Sequence, residues 1–265
     1  RTILPLVLFI LTCGSMYLVG GLTYMLAGMA VLVAHEMGHF LQAVRYGVPA
    51  SLPYFIPLPI PPLGTMGALI SMRGSVANRK QMFDIGLTGP IAGLLVALPI
   101  CWIGVRDGVP AGVSVEQARR QGDVFNDPLA VQLMIRYLRP ELPPDTVFNM
   151  NPYYMAGWMA MLITGLNMVP VSQLDGGHVA YALLGRKAHW LARGVIVVAL
   201  AYMLVSRTFF FSLMLLLVVF VIGIDHPPTA DDSVPIGFWR KVIGVASLAI
   251  PVFCLAPMPI LFRTG

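Results

Sequence analysis

Residues 2–44 hold a single formally charged side chain, Glu36, and it stands between two histidines. At about 1.5 Å per helical residue, a run of that length suffices for two passes through a ~30 Å hydrocarbon core. Gly20-Gly21 is the natural break, which predicts spans near 3–20 and 22–45. The run from Thr2 is too long for a signal-peptide core and has no clear cleavage site. Similar apolar stretches follow at 85–105, at 146–185 with only Asp175 interrupting, at 194–206 (starting near His189) and at 208–224. A last one, 242–262, carries Pro251, Pro257 and Pro259 and either crosses or lies at the interface. Only 11% of residues are charged, under half the usual ~25%, too few to cover a soluble globule. The expected fold is an all-α polytopic membrane protein with about six to seven transmembrane helices.

Two segments do not fit helical spans. Residues 46–72 are uncharged but contain six prolines between Pro49 and Pro62, so no continuous helix forms there. A small membrane-associated β-strand segment is expected near 48–78. Backbone of that kind at membrane depth must be buried in protein or line a wet cavity. Residues 106–145, with five Arg and six acids, read as a solvated extramembrane loop. Lys and Arg divide ten to seven in favour of the side bearing Arg45, Arg79 and Lys80, which places that side in the cytoplasm or its equivalent. The basic residues punctuate apolar runs and form no groove-like patch, so no nucleic-acid partner is expected. Cys13, Cys101 and Cys254 sit apart within apolar runs and read as packing residues.

Charge inside a span costs about 2.5–3.5 kcal/mol at a helix centre. The second span nevertheless carries His35-Glu36-Met37-Gly38-His39, an HExxH pattern. Residues i and i+4 of a helix differ by about 40° in azimuth, so both imidazoles face one point, as two zinc ligands must. Glu36, about 100° further round, can reach a zinc-bound water and take its proton as general base. A third ligand is needed, and Asp175 is the lone acid in its apolar stretch. His178, at i+3 from Asp175, is its rival. Pro170 breaks or kinks the helix before Asp175, and Gly176-Gly177 let another helix approach closely. Asn167 is a candidate donor to the scissile carbonyl or the developing oxyanion, or else a helix–helix hydrogen bond. Asp84 reads as an interfacial or capping charge, Gly89, Pro90 and Gly93 as close helix packing, His189 and His226 as interfacial, and Asp231 and Asp232 as a solvated turn.

HExxH followed by Asn167-x-x-Pro170 and Leu174-Asp175-Gly176-Gly177 resembles the site-2 protease family of intramembrane zinc metalloproteases. Pro53-Tyr54-Phe55-Ile56-Pro57, Gly64-Thr65-Met66-Gly67-Ala68, the 78–84 segment and Gly89-Pro90-Ile91-Ala92-Gly93 are similar to its branch in plastids and photosynthetic bacteria. The resemblance spans roughly residues 22–232. It implies a zinc metalloendopeptidase that cuts peptide bonds within or next to transmembrane helices, usually after an upstream site-1-type protease has trimmed the substrate. Carried over by motif, the zinc ligands are His35, His39 and Asp175, with Glu36 as base. The strand Thr65, Met66, Gly67, Ala68, Leu69 and Ile70 would pair with an unwound substrate. The chain then reads as one integral-membrane domain over 1–265, with a catalytic core at 22–185 and C-terminal helices at 189–262. Its membrane is a bacterial inner membrane or an organelle membrane, with the active site towards the cytoplasmic side. The other readings are a metal-binding membrane transporter and an inactive helix-binding scaffold.

Overall fold

The computed structural model describes residues 3–72, 76–121, 124–143, 146–206, 223–256 and 258–261. It is mostly helical. Among the described residues three helical stretches are long and apolar enough to cross a membrane: Ile3–Arg45, Arg79–Arg106 and Asp175–Val205.

Helix α1 (Ile3–Arg45) bends where the sequence predicts, at Gly21, whose φ of 76° an L side chain rarely adopts. The two halves fold back on one another. A Cβ at Gly28 would lie 2.3 Å from the methyl carbon of Met16, though a straight helix would part these residues by about 18 Å. Into the elbow fits an antiparallel hairpin of β1 (Tyr54–Leu58) and β2 (Gly64–Leu69), in which Phe55 faces Ala68 and Leu58 faces Gly64. Ser15 Oγ donates to the Gly64 carbonyl at 2.7 Å, and Tyr24 Oη to that of Leu63 at 2.6 Å. The proline-rich segment itself supplies β1, with the register slipping between Phe55 and Pro57, as a residue without an N–H requires. Phe55 packs with Met16, Tyr24, Met159 and Leu162, so the hairpin's inner face is covered by protein.

Helix α2 (Arg79–Arg106) begins with a capping box, Asn78 and Gln81 each accepting the other's backbone N–H. It runs antiparallel to the second half of α1: Gly38 meets Thr88, His39 meets Gly89 and His35 meets Gly93. From Asp107 the chain builds a cap of β3 (Val109–Ser114), α3 (Val115–Gln121), β4 (Val124–Phe125), α4 (Leu129–Leu138) and β5 (Thr146–Asn149), with β3 pairing β5. The segment read as a solvated loop is thus folded. Val131 and Phe148 of the cap share a core with Cys101, Val105 and Tyr154, and the Asn126 carbonyl accepts from Trp158 Nε1 at 3.0 Å.

The stretch read as one long segment around Asp175 is two helices, α5 (Pro152–Asn167) and α6 (Asp175–Leu184). Pro170 bars a helical hydrogen bond. Gly176 and Gly177 do allow close approach, but of their own preceding loop: a Cβ would meet the Met168 carbonyl oxygen at 2.0 Å or that of Ser172 at 2.2 Å. Ser172 is the non-glycine residue at positive φ among the described residues, at 53°, a strained position of the kind that gathers at functional sites. A 3-10 turn, Gly185–Lys187, leads to α7 (Ala188–Ser206). The sixth expected span, 208–224, lies outside the described residues except at its end.

The last apolar stretch is not one helix. It forms α8 (Phe238–Ser247), α9 (Ile250–Cys254) and β6 (Ile260–Leu261). Arg240 of α8 grips Asp84 near the start of α2 with two hydrogen bonds, of 2.7 and 3.0 Å. At the far end β6 pairs with β4 of the cap. The segment therefore runs the depth of the molecule, broken where Pro251 starts the second helix. Asp84, read as an interfacial or capping charge, sits in the first turns of α2 and also accepts from Tyr46 Oη, just past the end of α1.

Candidate metal centre

The HExxH turn lies about 9–15 Å along α1 from Arg45, and its partners on α2, Gly86 to Gly93, lie about 10–21 Å from Arg79. Both lengths fall inside a ~30 Å hydrocarbon core. His35, Glu36 and His39 are all buried, at 4%, 3% and 6% exposure. The loop at 168–174 turns the chain so that Asp175, first residue of α6, meets them.

Three side chains converge here. His35 Nε2 lies 3.1 Å from His39 Nε2 and 3.1 Å from Asp175 Oδ2, and His39 Nε2 lies 3.3 Å from Asp175 Oδ1. Among the described residues this is the one group of three or more His, Cys, Asp or Glu side chains placed to hold a metal ion. Tetrahedral zinc with bonds of about 2.0–2.1 Å sets its ligand atoms about 3.3 Å apart, so the triangle has the right edges. His39 Nδ1 donates to the Ile85 carbonyl at 2.7 Å, so in the neutral imidazole Nε2 carries the lone pair, as a metal ligand must. A cation held at the centre would satisfy these groups together.

Space for the rings comes from glycine. A Cβ at Gly89 would fall 2.0 Å from His39 Nε2, and one at Gly93 would fall 3.1 Å from His35 Nδ1. The stripe of Gly86, Gly89 and Gly93 is helix packing, as its spacing suggests, but what packs on it is the pair of imidazoles together with His178. That connection is not visible in either motif alone.

Glu36 is outside the triangle. With His35, Ala68, Thr164 and Asn167 it lines a cavity of about 10 Å³, just large enough for one water. Asn167 Nδ2 stands 3.5 Å from His35 Nε2, at the edge of hydrogen-bond range. Of the strand residues named from the sequence, Ala68 reaches the cavity. Thr65 is buried, and its hydroxyl is spent inside the hairpin, donating to the Ile56 carbonyl and accepting from Gly67 N. Met66 and Leu69 are each 49% exposed, and Gly67 lies 3.9 Å, by its missing Cβ, from Ile163. Ile70 follows just beyond the end of β2.

His178 does not join the triangle. Its Nδ1 bonds His226 Nε2 at 2.7 Å, and His226 in turn donates from Nδ1 to the Pro227 carbonyl. His226, read as interfacial, is 5% exposed and stacked on Tyr181. Burial holds its imidazole below the ordinary histidine value, which keeps Nε2 free to accept. His189 Nε2 donates to the His226 carbonyl. Asp232, read as solvated, accepts from Tyr181 Oη at 2.7 Å. Arg79 closes the far end of α6, donating to the carbonyls of Ala182 and Leu183 at 2.6 and 3.0 Å, groups a helix C-terminus leaves without partners. The helix that carries Asp175 is thus held at its first turn by His226 and at its last by Arg79.

The sequence model of peptidase family M50 matches residues 23–216. A probable zinc metalloprotease of Arabidopsis thaliana chloroplasts, EGY2, is 28% identical over 247 residues, covering 91% of this chain and 43% of that protein. The chloroplast protein EGY1 of Oryza sativa subsp. japonica, also named a probable zinc metalloprotease, is 29% identical, covering 87% and 39%. Its Arabidopsis counterpart is 29% identical, covering 87% and 42%. The chain spans about two fifths of the length of these relatives. No solved structure matches it.

Proposed function

The chain belongs to peptidase family M50, and from that premise we propose that it is an intramembrane zinc metalloprotease, hydrolysing peptide bonds within or next to transmembrane helices of its substrates. The observation that carries this reading is the convergence of His35, His39 and Asp175 beside a one-water cavity lined by Glu36, inside the apolar part of the molecule. His35 Nε2, His39 Nε2 and the Asp175 carboxylate would hold zinc, with His178 outside the ligand set. When bound, zinc supplies a Lewis acid that acidifies water and polarises a carbonyl. Glu36 takes the water's proton on its carboxylate and delivers it to the leaving amide nitrogen. The Asn167 amide, beside Glu36 in the cavity, donates to the carbonyl oxygen as negative charge develops there.

A helix hides its carbonyls in internal hydrogen bonds, so a substrate must unwind before it is cut. Among the described residues β2 pairs with β1 alone, and its Ala68 borders the cavity. We therefore assign residues 65–70 to strand addition with the unwound segment. We propose further that the chain's substrates arrive already shortened by an upstream site-1-type protease. Residues 1–265 act as one integral-membrane domain. The two halves of α1, α2, the α5–α6 pair, α7 and the broken 238–261 segment would make six passes, and 208–224, outside the described residues except at its end, would make a seventh. The basic ends near Arg45 and Arg79 support a site towards the cytoplasmic side. A transporter would need further ligand sets along a path, and the described residues hold this one group.

The reading is tested with the purified chain in lipid nanodiscs and a single-span substrate. A zinc chelator should abolish cleavage, and added zinc should restore it. Cleavage that persists in the chelated protein would overturn the assignment.

A further inference from the structure

Helix α4 is apolar on both faces. Val131, Met134, Ile135 and Leu138 turn inward to the core around Cys101 and Tyr154. Leu129, Leu133 and Tyr137 turn outward, at 38%, 47% and 76% exposure, interspersed with Gln132 and Arg136. An outer face that sets three large apolar side chains beside only two polar ones calls for a covering.

What covers the outer face can be read from α2. Its exposed residues Ile91, Leu95, Leu98 and Trp102 recur at offsets of 4, 7 and 11, a single helical face. In a membrane-spanning α2 that face meets lipid. Trp102, one turn before the end of the span at Arg106, stands where aromatic side chains mark the edge of the hydrocarbon. The Trp102 and Tyr137 rings lie 5.7 Å apart. The lipid-facing stripe of α2 therefore meets the outer face of α4 at Tyr137, which shares that face with Leu133 and Leu129 at helical offsets of 4 and 8.

We infer that α4 is an interfacial helix whose Leu129–Leu133–Tyr137 face is embedded in the phospholipid boundary on the Arg106 side, so that the cap is seated in the membrane surface rather than in solvent. Gln132 and Arg136 on the same face meet the headgroups, the long arginine stem lying along apolar surface with its charge outward. The inference rests on the reading of α2 as a membrane span.

The test places a photoreactive p-benzoylphenylalanine at Leu133, at Tyr137, at Leu95 of α2 or at Glu116 of α3. Each variant of the full chain is irradiated in phosphatidylcholine nanodiscs and weighed intact. Leu133 and Tyr137 should gain the mass of one phospholipid, as Leu95 should, while Glu116 should not. Adducts at Leu95 with none at Leu133 or Tyr137 would overturn the proposal, and so would crosslinks from α4 to a second protein chain. Absence of lipid adducts at Leu95 would instead refute the span itself.

Discussion

Glu36→Gln is expected to lower cleavage by about 10²–10⁴-fold, the usual worth of a positioned general base, at unchanged zinc content. The amide matches the carboxylate in size but cannot take a proton at neutral pH. Glu36 is not among the three residues whose acceptor atoms converge, so its replacement leaves the metal's ligands in place. It is buried and borders the one-water cavity, so no bulk buffer reaches in to replace it. Single-turnover cleavage in nanodiscs with zinc measured on the same samples decides this. Loss of zinc with loss of cleavage would make Glu36 a ligand or a prop for the site. Cleavage at the wild-type rate would remove it from the chemistry.

Gly89→Ala is expected to cost about 10–100-fold in zinc affinity, the range found when the surroundings of a ligand are disturbed, and to reduce cleavage at limiting zinc accordingly. Its added methyl would fall 2.0 Å from His39 Nε2. His39 cannot simply swing away, because its Nδ1 is tied to the Ile85 carbonyl one turn earlier on the same helix as Gly89. Either the ring loses that bond or α1 and α2 separate, and the latter also opens the contact of Gly38 with the Thr88 backbone. Gly93→Ala provides the contrast. Its Cβ would sit 3.1 Å from His35 Nδ1, so a few tenths of an ångström of movement relieves it, and a smaller loss is expected. Competition with a calibrated zinc chelator measures both. Equal affinities in Gly89→Ala and wild type would mean that His39 does not bind metal through Nε2.

Helical periodicity alone places His35 and His39 side by side, and the cost of charge in an apolar run singles out Glu36 and Asp175. The break at Gly21 and the non-helical proline-rich hairpin follow from glycine and proline backbone rules in the same direct way. Each of these is a local property of a few adjacent residues. The α5–α6 break was only half legible. Pro170 announces it, but its extent depends on Gly176 and Gly177 packing against the carbonyls of Met168 and Ser172. The glycine stripe of α2 is plain in the sequence at positions 86, 89 and 93, yet nothing local says that it receives the histidines of α1. The His178–His226 and Arg79–α6 contacts join residues 48 and more than 100 positions apart, and no periodicity encodes such pairs. The charges of 106–145 concealed the folded cap, because buried positions such as Val131 are scattered among them.

Zinc K-edge X-ray absorption on the purified chain tests the central claim most directly, because it reports the metal's neighbours whether or not the right substrate is in hand. The account predicts about one zinc per chain with two imidazole nitrogens and a carboxylate oxygen at about 2.0–2.2 Å, and a spectrum that loses the carboxylate contribution in Asp175→Ala. A sulfur shell, an unchanged spectrum in Asp175→Ala, or protein carefully prepared without chelators that carries no zinc would contradict it.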